Sequence, residues 1–172
     1  DQLHRPRQQP RALRILADPH GLAINPRRVT LSTGGLLAAI ERLAREPIMP
    51  NLAISLHAPT FAQRAKLVPL NRKHGVAEII ATCKKFPLRK RSRITFEYVL
   101  LAGVNDRPED ARRLAKLLSG VKSKVNLIPL NAAPGITFDR HSDAAINRFA
   151  QLLADHHLIV SVRKSRVRDI RA

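Results

Sequence analysis

The feature that most constrains this chain is an alternation of strand-like and helix-like segments, running from about residue 11 to the end without a tight hairpin signal between strands. Strand patterns fall at 28–33, 51–57, 93–101, 124–130 and 158–164, and helical periodicity at 11–18, 36–46, 60–67, 76–85, 108–119 and 142–156. Strands joined through helices run parallel, with crossovers of one hand. That leaves a doubly wound sheet or a barrel. The faces of the strands choose between them. Arg28, Thr30 and Ser32 oppose Val29 and Leu31, and Ala53, Ser55 and His57 oppose Leu52, Ile54 and Leu56. Thr95 and Glu97 oppose Ile94, Phe96, Tyr98 and Leu100, while Ile159, Ser161 and Arg163 oppose Leu158, Val160 and Val162. A doubly wound sheet is covered by helices on both sides and needs two apolar faces. One apolar and one small or polar face suits a barrel with helices outside and a polar lumen. The expected fold is therefore α/β, a partial (β/α) barrel over 11–172, preceded by a disordered or non-native arm at 1–10.

Composition narrows the partners. Lys and Arg number 31 against 13 Asp and Glu, a formal charge of +18, which attracts polyanions and above all phosphate backbones. Aromatic residues make up only 3%, too few for a base-stacking platform. Cys83 is the single cysteine, so the chain by itself forms neither a disulfide framework nor a thiolate cluster site. No apolar run approaches the roughly 18 residues of a membrane span, and the first residues lack the apolar core of a secretory signal. A cytoplasmic protein with no membrane partner is expected.

In parallel α/β barrels, reactive groups gather at the carboxyl ends of the strands. Those ends carry Ser32-Thr33-Gly34-Gly35, Ser55-Leu56-His57, Gly103-Val104-Asn105-Asp106, Asn131 and Arg163-Lys164-Ser165, with Glu97 one step deeper on the lumen face. Hydroxyls, an amide and a glycine pair suit a polar small molecule, and Gly34-Gly35 could offer backbone N–H groups to an anion. Glu97 reads as a hydrogen-bonding group of the lumen in preference to a catalyst. His57 is open between a core histidine and a direct contact. His74, His141, His156 and His157 read as structural residues of turns or helix surface, and Cys83 as a small core residue.

These same stretches carry a resemblance. Arg27-Arg28-Val29-Thr30-Leu31-Ser32-Thr33-Gly34-Gly35, Leu52-Ala53-Ile54-Ser55-Leu56-His57-Ala58-Pro59 and Leu67-Val68-Pro69-Leu70-Asn71-Arg72-Lys73 follow one another in order. After them come Glu97-Tyr98-Val99-Leu100 with Gly103-Val104-Asn105-Asp106, then Asn126-Leu127-Ile128-Pro129-Leu130-Asn131, then Val162-Arg163-Lys164-Ser165-Arg166. In this order they resemble the carboxyl-terminal portion of the RlmN/Cfr-type radical S-adenosylmethionine (SAM) RNA methyltransferases, nearer to the adenosine-C2 branch. The resemblance implies a radical SAM barrel lacking its first strands. It also implies methylation of an adenosine in 23S rRNA, and for RlmN-type members tRNA, with SAM and a 4Fe-4S cluster as cofactors and an external electron donor. By the same resemblance Ser32, Ser55, Leu56, His57 and Asn131 would contact SAM.

Arg27, Arg28, Arg163, Lys164 and Arg166 are the candidate RNA contacts, the last three at or past a carboxyl strand end where RNA would enter. Arg89-Lys90-Arg91-Ser92-Arg93 precedes a strand and reads as a solvated loop at the opposite face, with remote RNA contact as the lesser alternative. The cluster-binding cysteine loop and the methyl-carrying cysteine of the family have no counterpart within these residues. The chain as written is therefore expected to be an inactive fragment, with an unpaired edge at strand 28–33 and poor solubility. Two other readings stay open. One is a non-catalytic, basic RNA-binding remnant; the other is an unrelated barrel enzyme holding a substrate phosphate at Gly34-Gly35.

Overall fold

A computed structural model describes residues 9–67, 74–130 and 141–163. Its strands β1 (Thr30–Thr33), β2 (Asn51–Ser55), β3 (Ile94–Leu100), β4 (Ser123–Pro129) and β5 (Ile159–Val162) form one parallel sheet in chain order. Helix α1 (Gln9–Ala17) precedes β1. The connections carry α2 (Leu37–Leu43), α3 (Phe61–Leu67) with α4 (Val76–Lys84), α5 (Pro108–Leu118) and α6 (Asp143–Asp155). A doubly wound sheet reverses its strand order part-way. This one does not, so crossovers of one hand lay the helices along a single face and the sheet curves as an arc of a barrel. The partial barrel expected from the strand faces is the observed architecture.

The helix-facing side of the sheet is the core. Leu52, Ile54, Ile94, Phe96, Tyr98, Leu100, Val125 and Leu127 are each 1% exposed or less. They pack with Ile40, Ile79, Ile80, Leu114, Leu118, Ile146 and Phe149 of the helices. The Tyr98 and Phe149 rings stack with centroids 5.7 Å apart. Cys83 is buried in the same cluster, and burial pushes its thiol pKa up to about 12, as suits an inert core residue. Helix starts follow local chemistry. Pro108 opens α5 with Glu109 and Asp110 in its first turn, and the Ser142 hydroxyl caps α6 by accepting the Ala145 N–H at 3.2 Å. Gly35, at φ +90°, turns β1 toward α2. A Cβ there would stand 2.8 Å from Ile79 Cδ1, which is the far end of a side chain, so it is the backbone conformation that chiefly requires glycine.

Four of the five strands are shorter than the apolar alternation predicts, and in β1 and β2 the cause is local. Pro26–Arg28 forms a 3₁₀ turn, with the Asn25 side chain accepting the Arg27 N–H, and this removes Arg28 from β1. β2 stops at Ser55 because His57 adopts φ +60°, outside extended geometry. As expected for segment 28–33, β1 lies at an edge of the sheet, paired only with β2 among the described residues.

The carboxyl ends of β2 and β3 are joined by the fully buried side chain of Asn105. Its Nδ2 donates to the carbonyls of His57 at 2.7 Å and Val99 at 2.8 Å, and its Oδ1 accepts the Leu101 N–H at 2.7 Å. Its own carbonyl accepts from the Tyr98 hydroxyl at 2.7 Å. Asn105→Ala would take this partner from three backbone groups, one in a buried and two in part-buried hydrogen bonds. We predict a loss of about 3 kcal/mol in urea unfolding of the intact protein, with an unchanged m value.

Candidate functional site

On the face away from the helices, polar side chains line up across the sheet. The register sets Ser55 beside Glu97, Glu97 beside Asn126 and Asn126 beside Ser161. The hydroxyls of Ser32 and Ser55 both donate to Glu97 Oε2, each at 3.3 Å, and Ser161 donates to Asn126 Oδ1 at 3.1 Å. Ser32 and Ser55 therefore meet, as the sequence suggests, and Glu97 has the hydrogen-bonding role expected of it. Each hydroxyl keeps lone pairs free, so the row is rich in acceptors. Such a surface suits amines, ribose hydroxyls and cations.

His57 closes one end of this row. Its N–H and that of Leu56 both donate to the Glu97 carbonyl, at 3.2 and 3.0 Å. Its Nδ1 accepts the Val99 N–H at 3.2 Å. A backbone N–H only donates, so Nδ1 holds the lone pair and the neutral ring carries its proton on Nε2. Burial lowers the His57 pKa below the usual 6.5; the Arg64 charge adds to the lowering and Glu97 opposes it. Structure thus resolves the two roles open for His57 in part: one ring nitrogen is structural, and the Nε2–H is the group left for other contacts.

Arg64 of α3 is a site residue that sequence reasoning missed. It is 2% exposed, donates to the carbonyls of Gly34 and, at 3.5 Å, Ser55, and has a buried Nε without a partner. It ties the ends of β1 and β2 together, and desolvation lowers its pKa. Nothing in the helical pattern of 60–67 distinguishes it from a solvated arginine.

Other positions depart from expectation. Leu56 is 0% exposed, its side chain packed in the core and its N–H donated to the Glu97 carbonyl, so it does not open onto the lumen. The Gly35 N–H is engaged by Thr33 Oγ1 at 3.3 Å and is not free for an anion. Asn105, grouped with the ligand-holding strand ends, is instead the buried clamp. His141 is buried, not on the surface, because the approach to α6 folds against the β3–α5 turn, with Nε2 3.7 Å from Asp106 Oδ2. Arg163 is exposed at the end of β5, its N–H donating to Leu127 O at 2.8 Å. Arg27 and Arg28 precede β1 and lie at the opposite end of the sheet, so the arginines do not form one patch. Asn131, Lys164, Arg166 and the 68–73 motif lie outside the described residues. Among the described residues, no group of three His, Cys, Asp or Glu could hold a metal ion, and no helix is long and apolar enough to cross a membrane.

No protein-family model matches the chain. It is 45% identical over 162 residues to the dual-specificity RNA methyltransferase RlmN of Syntrophobacter fumaroxidans, covering 94% of this chain and 47% of that protein. With RlmN of Geobacter sulfurreducens the identity is 48%, over 94% of the chain and 45% of the relative. The chain spans about half the length of the curated relatives it matches. In structure it matches a radical SAM methyltransferase from Sphaerobacter thermophilus with a TM-score of 0.87 at 48% identity, over 93% of this chain and 47% of that one. A domain of pyruvate-formate lyase-activating enzyme from Bacteroides vulgatus, at 16% identity and a TM-score of 0.66, shares the fold.

The lowered His57 pKa has a consequence for stability. Proton uptake is easier in the unfolded chain, so the stability from the Val99–His57 bond is complete above pH 6.5 and falls as pH drops toward the folded-state value. His57→Asn keeps an acceptor and tolerates positive φ. We predict that it flattens this acid-side loss in urea titrations between pH 5 and 8.

Proposed function

We propose that this chain supplies the SAM-holding part of a cytoplasmic radical SAM methyltransferase that modifies C2 of an adenosine in 23S rRNA and tRNA. The observation that carries the reading is the Ser32–Glu97–Ser55 network, on strands where the RlmN/Cfr-type motifs lie. SAM fits such a row. It brings an ammonium, ribose hydroxyls and a sulfonium, which oxygen acceptors and one carboxylate favour, and the neutral His57 ring adds no opposing charge. Ser32, Ser55 and Glu97 would hold the cofactor, with Nε2–H of His57 as a donor beside them. Asn131 is assigned to the same cofactor by the resemblance. When bound, SAM supplies the methyl group and, with a reduced cluster, a carbon radical.

The residues in hand do not fit the 4Fe-4S cluster. Three thiolates are required, and Cys83 is buried in the core with its thiol held protonated. Cluster ligands, methyl-carrying cysteine and electron donor would come from outside these 172 residues. In this reading the segment binds and orients the cofactor along the row.

For the intact protein, reconstituted anaerobically with iron and sulfide, Ser55→Ala should weaken SAM binding about tenfold, the value of one hydrogen bond. Formation of 2-methyladenosine in tRNA and 23S rRNA, read by mass spectrometry, should fall with it. Unchanged SAM affinity in both Ser32→Ala and Ser55→Ala would remove the row as the cofactor site. A wild-type protein that produces no 2-methyladenosine would remove the proposed reaction.

A further inference from the structure

The amino-terminal ends of the strands form a second concavity, on the end of the sheet away from Ser55-Leu56-His57. It is a bowl of about 740 Å³ whose lining includes Arg27, Arg89, Lys90, Arg91, Arg93 and Lys124 and no carboxylate. Its floor is made by neutral Thr30, Asn51 and Thr95. Among the described residues none of the six cations is in a salt bridge. Bringing six like charges around one hollow opposes folding unless the hollow serves an anion.

The bowl is built and not merely a frayed basic loop. Asn51 Nδ2 donates to Arg27 O at 2.7 Å, while its Oδ1 accepts from Arg89 Nη2 at 3.3 Å, so one side chain fixes both rims. The Ser92 N–H donates to Arg89 O at 2.9 Å and closes a tight turn. Within that turn Arg91 has φ +68°, a position that favours glycine. An arginine held there keeps a cation on the rim at a cost in backbone conformation.

We propose that this bowl is a second RNA surface, which grips the phosphate backbone of a part of the substrate remote from the reacting adenosine. The inference rests on the RNA methyltransferase reading given above. β3 has seven residues, so the two mouths are separated by about 20 Å along the strand. RNA held at one mouth is therefore a different segment from RNA at the other. The lining has no aromatic group, so contact is to phosphates and independent of sequence. An acidic protein partner fits less well, because protein interfaces centre on apolar and aromatic anchors that the bowl lacks.

The test uses the intact protein and a labelled tRNA transcript, with binding measured across a KCl series. The variant Arg91→Gly, Arg93→Gln, Lys124→Gln should lower the slope of log K against log salt by about 2, at roughly 0.7–0.9 per lost phosphate contact. Its affinity at 150 mM KCl should drop about tenfold or more. SAM affinity should stay at the wild-type value. Arg91→Gly alone should leave Tm unchanged or raised while still weakening tRNA, which a purely structural turn residue would not do. An unchanged slope in the triple variant, with Arg163→Gln lowering it, would overturn the inference and leave RNA contact at the carboxyl mouth alone. Tripolyphosphate binding lost in the triple variant with tRNA binding intact would also overturn it, as a small-anion site. A wild-type protein that binds SAM but not tRNA would remove the RNA reading itself.

Discussion

A single buried carboxamide holds the working end of this sheet together. Parallel strands leave their last backbone groups without ladder partners, and here the Asn105 side chain takes up the carbonyls of His57 and Val99 and the Leu101 N–H. That fixes the bend at His57, which turns Nδ1 onto the Val99 N–H and leaves the Ser55 hydroxyl against Glu97. Arg64 does the corresponding work between β1 and β2 through the carbonyls of Gly34 and Ser55. Polar atoms buried at strand ends are expensive unless fully paired, so these two side chains determine where the lumen residues stand.

The two ends of the sheet differ in electrostatics. Toward the carboxyl ends the lumen presents hydroxyls, an amide and one carboxylate; at the amino ends it presents six cations around neutral hydroxyls and an amide. Thr95 and Glu97 are two residues apart on one face of β3, so the change occurs within about 7 Å. The net charge of +18 is thus not spread as an indifferent coat. Part of it is gathered where Asn51 and the Arg89–Ser92 turn hold it in shape.

Much of this was legible in the sequence, and the misses share a cause. Period-2 alternation identified the lumen face because small and polar residues there are not covered by helices, and the same argument favoured a barrel over a doubly wound sheet. Ser32, Ser55 and Glu97 followed from strand register, which alternation specifies. Asn105 and Arg64 were illegible in their roles. Polar residues in a turn and on a helix read as exposed, and only the tertiary fold shows that backbone carbonyls converge on them. His57 was half legible: its place at a strand end was clear, whereas positive φ at a non-glycine residue has no sequence signature. The basic loop at 89–93 reads as solvated until Asn51 is seen bridging Arg27 and Arg89.

The central claim is that the Ser32–Glu97–Ser55 row holds SAM. The most direct test follows backbone amide NMR shifts of the isotope-labelled protein during titration with SAM. The account predicts saturable shifts at Ser32, Ser55, Leu56, His57 and Glu97, with Arg89, Ser92 and Lys124 unmoved. Shifts confined to the amino-terminal bowl, or none along the row at saturating SAM, would contradict it.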